Sequence, residues 1–211
     1  MKPNSVAIGL RAKTGRAIAV VVGGSADSPL ILAKTEIKLW DPKFSATGQP
    51  YHHVMHLPGD QWPRAVEKSA RAIRKIAVKA LANLIKEQAA NGRNVCAVAT
   101  VGAKDRDLAR IGNPHIRAHA AEGILFRRVL DDAARANKLT GRTFAEREFE
   151  QMLRKELGAK SSSIRKTLDE AARALPPPWR ADEKLAAMAA WLVLHRQQKQ
   201  ELSRDYTDYT D

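Results

Sequence analysis

A chain of 211 residues, 44% of them hydrophobic, is long enough to bury one core without a metal or disulfide staple. It has a single cysteine, Cys96, and no apolar run approaching the ~20 residues that span a bilayer, which argues against a disulfide-stapled or membrane-embedded protein. Lys and Arg number 36 against 23 Asp and Glu, and the net charge of +13 favours polyanionic partners. We therefore expect a cytoplasmic protein that binds DNA or RNA and no membrane. One domain is expected over 1–200, with a polar C-terminal tail over 201–211.

The chain opens with a predicted antiparallel hairpin. Two apolar strands, 5–12 and 16–22, are joined by the turn sequence Lys13-Thr14-Gly15. A third strand is predicted within 29–40, where polar and apolar residues alternate. A loop rich in Pro, Gly and His follows over 41–59, and its length is typical of a functional or mobile segment.

Helices alternate with strands in the rest of the chain. The predicted order is a long helix over 61–90, a buried strand over 94–102, a helix from Asn113 to 136, a short strand over 139–142, and helices over 143–157, 162–175 and 182–198. Asn113 and Pro114 are typical of a helix start, and Thr143 with Glu146 predicts a capping box. Cys96 is predicted to be a small buried residue of the central strand.

The long helix is predicted to have two opposite faces. The apolar face comprises Trp62, Val66, Ala70, Ile73, Ala77, Ala80 and Leu84. The opposite face is a basic stripe of Arg64, Lys68, Arg71, Lys75, Lys79 and Lys86. A stripe of nearly one sign, with only Glu67 at its margin, favours a surface that follows phosphates, although an ordinary solvated helix face is the alternative.

Five of the six histidines fall into two groups. His52, His53 and His56 lie in the long loop, where the sequence fixes no geometry. His115, His119 and Glu122 follow i, i+4, i+7 spacing and share one helix face. These three are candidate ligands of a divalent metal, and the alternative is a pair of histidines that form hydrogen bonds at the edge of the core.

Three segments carry a resemblance to a known family. VAIGLRAKTGRAIAVVV near the start, GNPHIRAHAAEGILFRRVL at 112–130 and RADEKLAAMAAWLVLH at 180–195 resemble the opening hairpin, the helix after the central strand and the last helix of the Holliday-junction resolvases. The resemblance covers most of 5–196. It implies an α/β protein of the ribonuclease-H-like fold: a mixed five-stranded sheet that opens with an antiparallel hairpin and has helices packed on both faces.

The resemblance also shows which metal-binding acids are missing. That family holds Mg²⁺ with acids at the ends of the first and central strands and at the start of the last helix, because two metals must clamp the attacking and leaving oxygens. This chain has Gly9-Leu10-Arg11 in the first strand, and neither Ala99 nor Thr100 is acidic. Asp182 stands where the last helix should carry an acid, but Leu185 replaces a second aspartate.

Three functions remain as hypotheses. The leading one is a nucleic-acid-binding protein on a degenerate, non-cleaving ribonuclease-H-like scaffold. The first alternative is a metal-dependent phosphoesterase or nuclease with an atypical site drawn from His119, Glu122, Asp182 and Glu183, which would require a divalent metal. Asp182 and Glu183 also suit an ordinary helix N-terminus. The second alternative is an interaction scaffold whose basic stripe binds an acidic protein.

Overall fold

The structure is a computed structural model, and it describes residues 4–158 and 160–207, with side chains as far as residue 200. One sheet contains five strands in the order β3-β2-β1-β4-β5. These strands are β1 (Ser5–Lys13), β2 (Arg16–Gly24), β3 (Pro29–Lys38), β4 (Asn94–Gly102) and β5 (Thr140–Ala145). The pairs β1–β2 and β2–β3 are antiparallel, whereas β1–β4 and β4–β5 are parallel.

Helices cover both faces of this sheet. They are α1 (Pro50–His53), α2 (Trp62–Ala90), α3 (Pro114–Ala136), α4 (Glu146–Leu157), α5 (Lys160–Ala171) and α6 (Ala181–Thr207). One apolar core joins the sheet to α2 and α3, and a second joins its other face to α4, α5 and α6. The expected ribonuclease-H-like fold class is confirmed by this architecture. No helix within the described residues is long and apolar enough to cross a membrane.

The opening hairpin forms because its sequence favours both the strands and the turn. β-branched residues fill the centre of β2, where Val20, Val21 and Val22 are buried. Gly15 in the turn has φ 74°, a left-handed conformation that a residue with a side chain adopts at a cost. The predicted hairpin is therefore confirmed, and its register pairs Arg11 with Ile18.

The last helix lies unusually close to the first strand. A Cβ atom on Gly9 would stand 1.8 Å from the carbonyl oxygen of Ala186, so only glycine allows this approach. The run from Ala186 to Ala190 is buried along its whole length, and its mostly small side chains permit the same contact. This packing brings the N-terminus of α6 beside the end of β1.

Some local predictions differ from the structure. Thr143 lies in β5 rather than at a helix start; α4 begins after Ala145 without a side-chain cap, so the predicted capping box is wrong. The fifth strand is later and longer than expected because its pairing with β4 extends it to Ala145. Helix α6 continues to Thr207, beyond its predicted end, and residues 208–211 of the predicted tail lie outside the described residues. Cys96 is half-buried, and its thiol donates to the carbonyl oxygen of Val6.

Candidate functional site

The end of β1 carries an arginine held by two carboxylates. The Arg11 side chain is only 9% exposed; its Nε donates to Asp182 of α6 at 3.1 Å and its Nη2 to Glu146 of α4 at 2.6 Å. Lys13 adds a second cation, with its Nζ 3.1 Å from the other carboxylate oxygen of Asp182. We call Arg11, Lys13, Glu146 and Asp182 the ion-pair centre. In it two cations neutralise the two acids.

The protonation of Asp182 is controlled by these neighbours. Burial of its carboxyl group opposes ionisation, but hydrogen bonds from Lys13 and Arg11 outweigh burial and lower the pKa of Asp182 below its ordinary value. The carboxylate is therefore ionised at neutral pH and paired with two cations. A divalent cation would have to compete with these basic side chains to bind it.

The other candidate positions of this site make three kinds of contact: apolar packing, hydrogen bonds with Asp131, and a helix cap. Ala99 pairs with Gly9 beneath α6, and Leu185 is buried in the same core. Thr100 faces the opposite side of the sheet, where it and Thr143 form hydrogen bonds with Asp131; burial raises the pKa of Asp131 despite these bonds. Glu183 accepts the backbone N–H of Arg180 and so caps the start of α6.

A groove of about 620 Å³ opens at the carboxyl end of β4, between α3 and α4. Its polar lining consists of Lys104, Arg106, His119, Glu146, Arg147, Glu148 and Gln151. Lys104 forms an ion pair of 2.7 Å with Glu148. Glu146 lines the groove and is also a member of the ion-pair centre, so the groove borders that centre. The carboxyl ends of parallel strands commonly carry the binding clefts of α/β proteins.

The basic stripe lies on the solvent face of α2. All six of its cations are exposed, whereas Trp62, Val66, Ile73, Ala77 and Leu84 are buried on the opposite face. Arg71 forms an exposed ion pair with Glu67 at 3.6 Å, and the ammonium of Lys68 lies 5.4 Å from the ring centre of Phe44. The remaining four have no carboxylate partner among residues 4–158 and 160–200. The stripe is therefore a surface of one dominant charge.

Three histidines from two helices meet beside the groove. One nitrogen from each of His52, His115 and His119 lies within 4.8 Å of the corresponding nitrogens of the other two. Their ring centres are 4.3 to 4.9 Å apart and meet edge to face. His115 and His119 project from the first two turns of α3, whose start is fixed by the Asn113 cap and Pro114.

A buried carboxylate holds the third histidine. The Glu122 side chain is 0% exposed; its Oε1 accepts the backbone N–H of His52 at 3.1 Å and lies 2.9 Å from Nδ1 of the same residue. His52 Nε2 and Glu122 Oε2 are buried and have no hydrogen-bond partner among the described residues. We call His52, His115, His119 and Glu122 the histidine cluster.

The sequence did not single out every member of these sites. His52 had no fixed geometry in the sequence, although Gln49 followed by Pro50 is a signal for the short helix α1 that positions it. The sequence predicts Glu146 only as part of a helix cap. Its approach to Arg11 depends on the parallel pairing of β4 with β5, which local sequence cannot show. The other loop histidines, His53 and His56, are exposed and stay outside the cluster.

Comparisons with known proteins give structural matches only. No family model matches the chain, and no curated protein sequence matches it. A structure of Thermus thermophilus RuvC in complex with Holliday junction substrate matches with 11% identity and a TM-score of 0.49, covering 92% of this chain and 96% of that one. A second Thermus thermophilus RuvC structure matches with 11% identity, the same coverages and a TM-score of 0.47. The fold class of this chain rests on its own strand order and pairing.

Proposed function

We propose that this protein binds nucleic acid through its phosphate backbone and does not cleave it by a two-metal route. The observation that carries the proposal is the exposed, one-sign basic stripe of α2. From Arg64 to Lys86 the stripe extends about 33 Å along the helix axis, which is comparable to about ten base pairs of duplex. Displacing counterions from such a length of phosphate backbone favours association.

The ion-pair centre supports the absence of two-metal cleavage. Two Mg²⁺ ions require several carboxylates with free oxygens around one reacting phosphate. Here Arg11 occupies the strand position of the first acid, and its guanidinium contacts Glu146 and Asp182. A cation at this position repels Mg²⁺ and engages one oxygen of each of these carboxylates.

A salt series tests the binding proposal. Fluorescence anisotropy should be recorded with a labelled 20-base-pair DNA duplex, a single strand, an RNA duplex and a four-way DNA junction, from 50 to 300 mM salt in EDTA. We expect the logarithm of the association constant to fall linearly with the logarithm of the salt concentration. Lys75→Gln combined with Lys79→Gln should reduce the slope by about 2, since each phosphate contact contributes about 0.9.

The matched control removes the same charge from the opposite side of the sheet. Lys155 of α4 and Lys166 of α5 are exposed there, and Lys155→Gln with Lys166→Gln should leave the slope unchanged. No binding at 50 mM salt would end the proposal, and so would an equal loss in the control. An acidic protein retained from nuclease-treated lysate, with no nucleic-acid affinity, would favour the scaffold alternative.

A metal-dependent phosphoesterase is the second candidate. It is favoured by the position of His119, which lines the cationic groove and belongs to the histidine cluster. A metal-bound water beside Lys104, Arg106 and Arg147 would face an anionic ester held by positive charge. Hydrolysis of bis-p-nitrophenyl phosphate, present with Zn²⁺ and lost in His119→Ala, is the expected result for this candidate.

A further inference from the structure

We infer that His52, His115 and His119 bind one first-row transition-metal ion of the Zn²⁺ type, with Glu122 orienting His52 from behind. This ligand set differs from the one predicted from sequence, because it adds a residue of α1 and moves Glu122 out of direct contact with the ion. The inference stands apart from nucleic-acid binding, which uses the basic stripe.

The spacing of the three nitrogens suits a single ion. Because no two of them are more than 4.8 Å apart, a point between them lies at most about 2.8 Å from each. Zinc–nitrogen bonds are about 2.0–2.1 Å, so each ring has to move by less than about 1 Å. His115 and His119 are exposed on the first two turns of α3, so the protein does not enclose their rings. A displacement of this size is within the range of small side-chain torsion changes.

The hydrogen bond from His52 fixes which nitrogen is available. Nδ1 lies 2.9 Å from Oε1 of Glu122, and an ionised carboxylate can only accept, so Nδ1 carries the hydrogen and the lone pair of the neutral ring is on Nε2. Nε2 is buried with no hydrogen-bond partner among the described residues, an arrangement that costs free energy unless something binds there. Metal-ligating histidines commonly donate their second ring N–H to a carboxylate, which sets the tautomer and ring orientation.

The charge of Glu122 supports the same conclusion. A fully buried carboxylate needs a compensating positive charge, and its Oε2 has no partner among the described residues. A divalent ion bonded to His52 would supply that charge through the ring. The competing source is a proton on His52 Nε2, which would form an ion pair with Glu122 but bring an N–H toward two other imidazoles. A protein with a metal ion on His52 and one with a proton on His52 differ in whether they take up metal.

The donor set indicates the class of metal. Three neutral imidazoles suit Zn²⁺, Co²⁺, Ni²⁺ and Cu²⁺ and are poor ligands for Mg²⁺ or Ca²⁺, which prefer oxygen. Three protein ligands leave a fourth position for water or another oxygen ligand. Since His119 also lines the groove, the ion would lie at its edge.

Metal titration of tag-free, chelator-treated protein tests this inference. Isothermal calorimetry with ZnCl₂ should give one ion per chain, and CoCl₂ should give the visible absorption of tetrahedral cobalt. His115→Ala or His119→Ala should weaken Zn²⁺ binding at least 100-fold; both residues are exposed, so the fold should survive. Glu122→Gln should weaken it 10- to 100-fold while leaving the ligands in place.

The matched control is His53→Ala, because His53 is exposed next to His52 but outside the cluster. It should bind Zn²⁺ as tightly as the native chain, with circular dichroism showing intact helices in every variant. Failure of the native protein to take up Zn²⁺ would overturn the inference and favour a protonated His52. Equal losses in His53→Ala and His119→Ala would also overturn it. DNA binding measured in EDTA is independent of either outcome.

Discussion

Two polar clusters border the groove at the carboxyl end of β4, and they differ in whether their polar groups have partners within the protein. In the ion-pair centre, Arg11 and Lys13 engage the two carboxylates, so the charges balance within the protein. In the histidine cluster, buried atoms of His52 and Glu122 have no partner among the described residues. The charges of the first cluster are paired within the protein, whereas the second leaves buried polar atoms to which the inferred metal ion would supply a partner.

The largest expected effect concerns the packing that creates the ion-pair centre. Gly9→Ala places a methyl group 1.8 Å from the Ala186 carbonyl oxygen, so α6 must move away from β1 and take Asp182 with it. We expect the free energy of unfolding in urea to fall by about 3 kcal/mol or more. Gly112→Ala is the control, because nothing lies within 4 Å of its added Cβ. Two variants of equal stability would show that the close approach is not needed.

Zinc should stabilise the protein through the histidine cluster alone. At a free Zn²⁺ concentration 100 times the dissociation constant, the free energy of unfolding should rise by about 2.7 kcal/mol. Urea unfolding with and without ZnCl₂ measures this gain. His119→Ala should show none of it, and MgCl₂ should have no comparable effect. The distinction between the clusters fails if Mg²⁺ stabilises the native chain as much as Zn²⁺ does.

The fold was largely predictable because its signals are local. The hairpin, the apolar strand at 94–102 and the amphipathic α2 follow from alternation, turn residues and helical periodicity. The exceptions occur where tertiary contacts override local signals. Ser69 and Gln88 are buried on α2 although neither is apolar. Thr143 lies in β5 because it pairs with Thr100 of β4.

The sites were less predictable than the fold, since both depend on contacts between distant segments. The spacing of His115 and His119 singled them out, but their neighbour His52 is contributed by the short helix α1, more than sixty residues earlier. The sequence shows an arginine at position 11, where the resemblance predicts an acid. Its two partners, Glu146 and Asp182, come together only through the packing of α4 and α6 around the strand ends. Whether the stripe of α2 binds phosphates stays a prediction.

A smaller effect is expected from opening the ion-pair centre itself. Arg11→Met keeps most of the buried side-chain volume but removes the bonds to Glu146 and Asp182, which are 53% and 31% exposed and can regain water. The expected loss is about 1–2 kcal/mol in urea unfolding. Arg16→Met is the matched control, because its ion pair with Glu36 is exposed on both sides and should contribute about 0.5 kcal/mol or less. Equal losses in the free energy of unfolding of the two variants would mean that Arg11 contributes no more than an ordinary exposed ion pair.

The smallest expected effect is a pH dependence that belongs to Asp182. Its pKa is lowered in the folded state relative to 3.8, so its contribution is present at higher pH and is lost as the pH falls through the folded pKa. The native chain should therefore lose more stability between pH 5 and pH 3 than Asp182→Asn does. Other acids with lowered pKa, including Asp105, Asp132 and Asp169, contribute equally to both proteins and cancel in the difference. Because Asp182 is partly exposed, the difference should be about 1 kcal/mol or less. Parallel profiles of stability against pH for the native chain and Asp182→Asn would show that the contacts with Arg11 and Lys13 do not favour ionisation of Asp182. The charges of the ion-pair centre would then not stabilise one another, and the contrast with the histidine cluster would be lost.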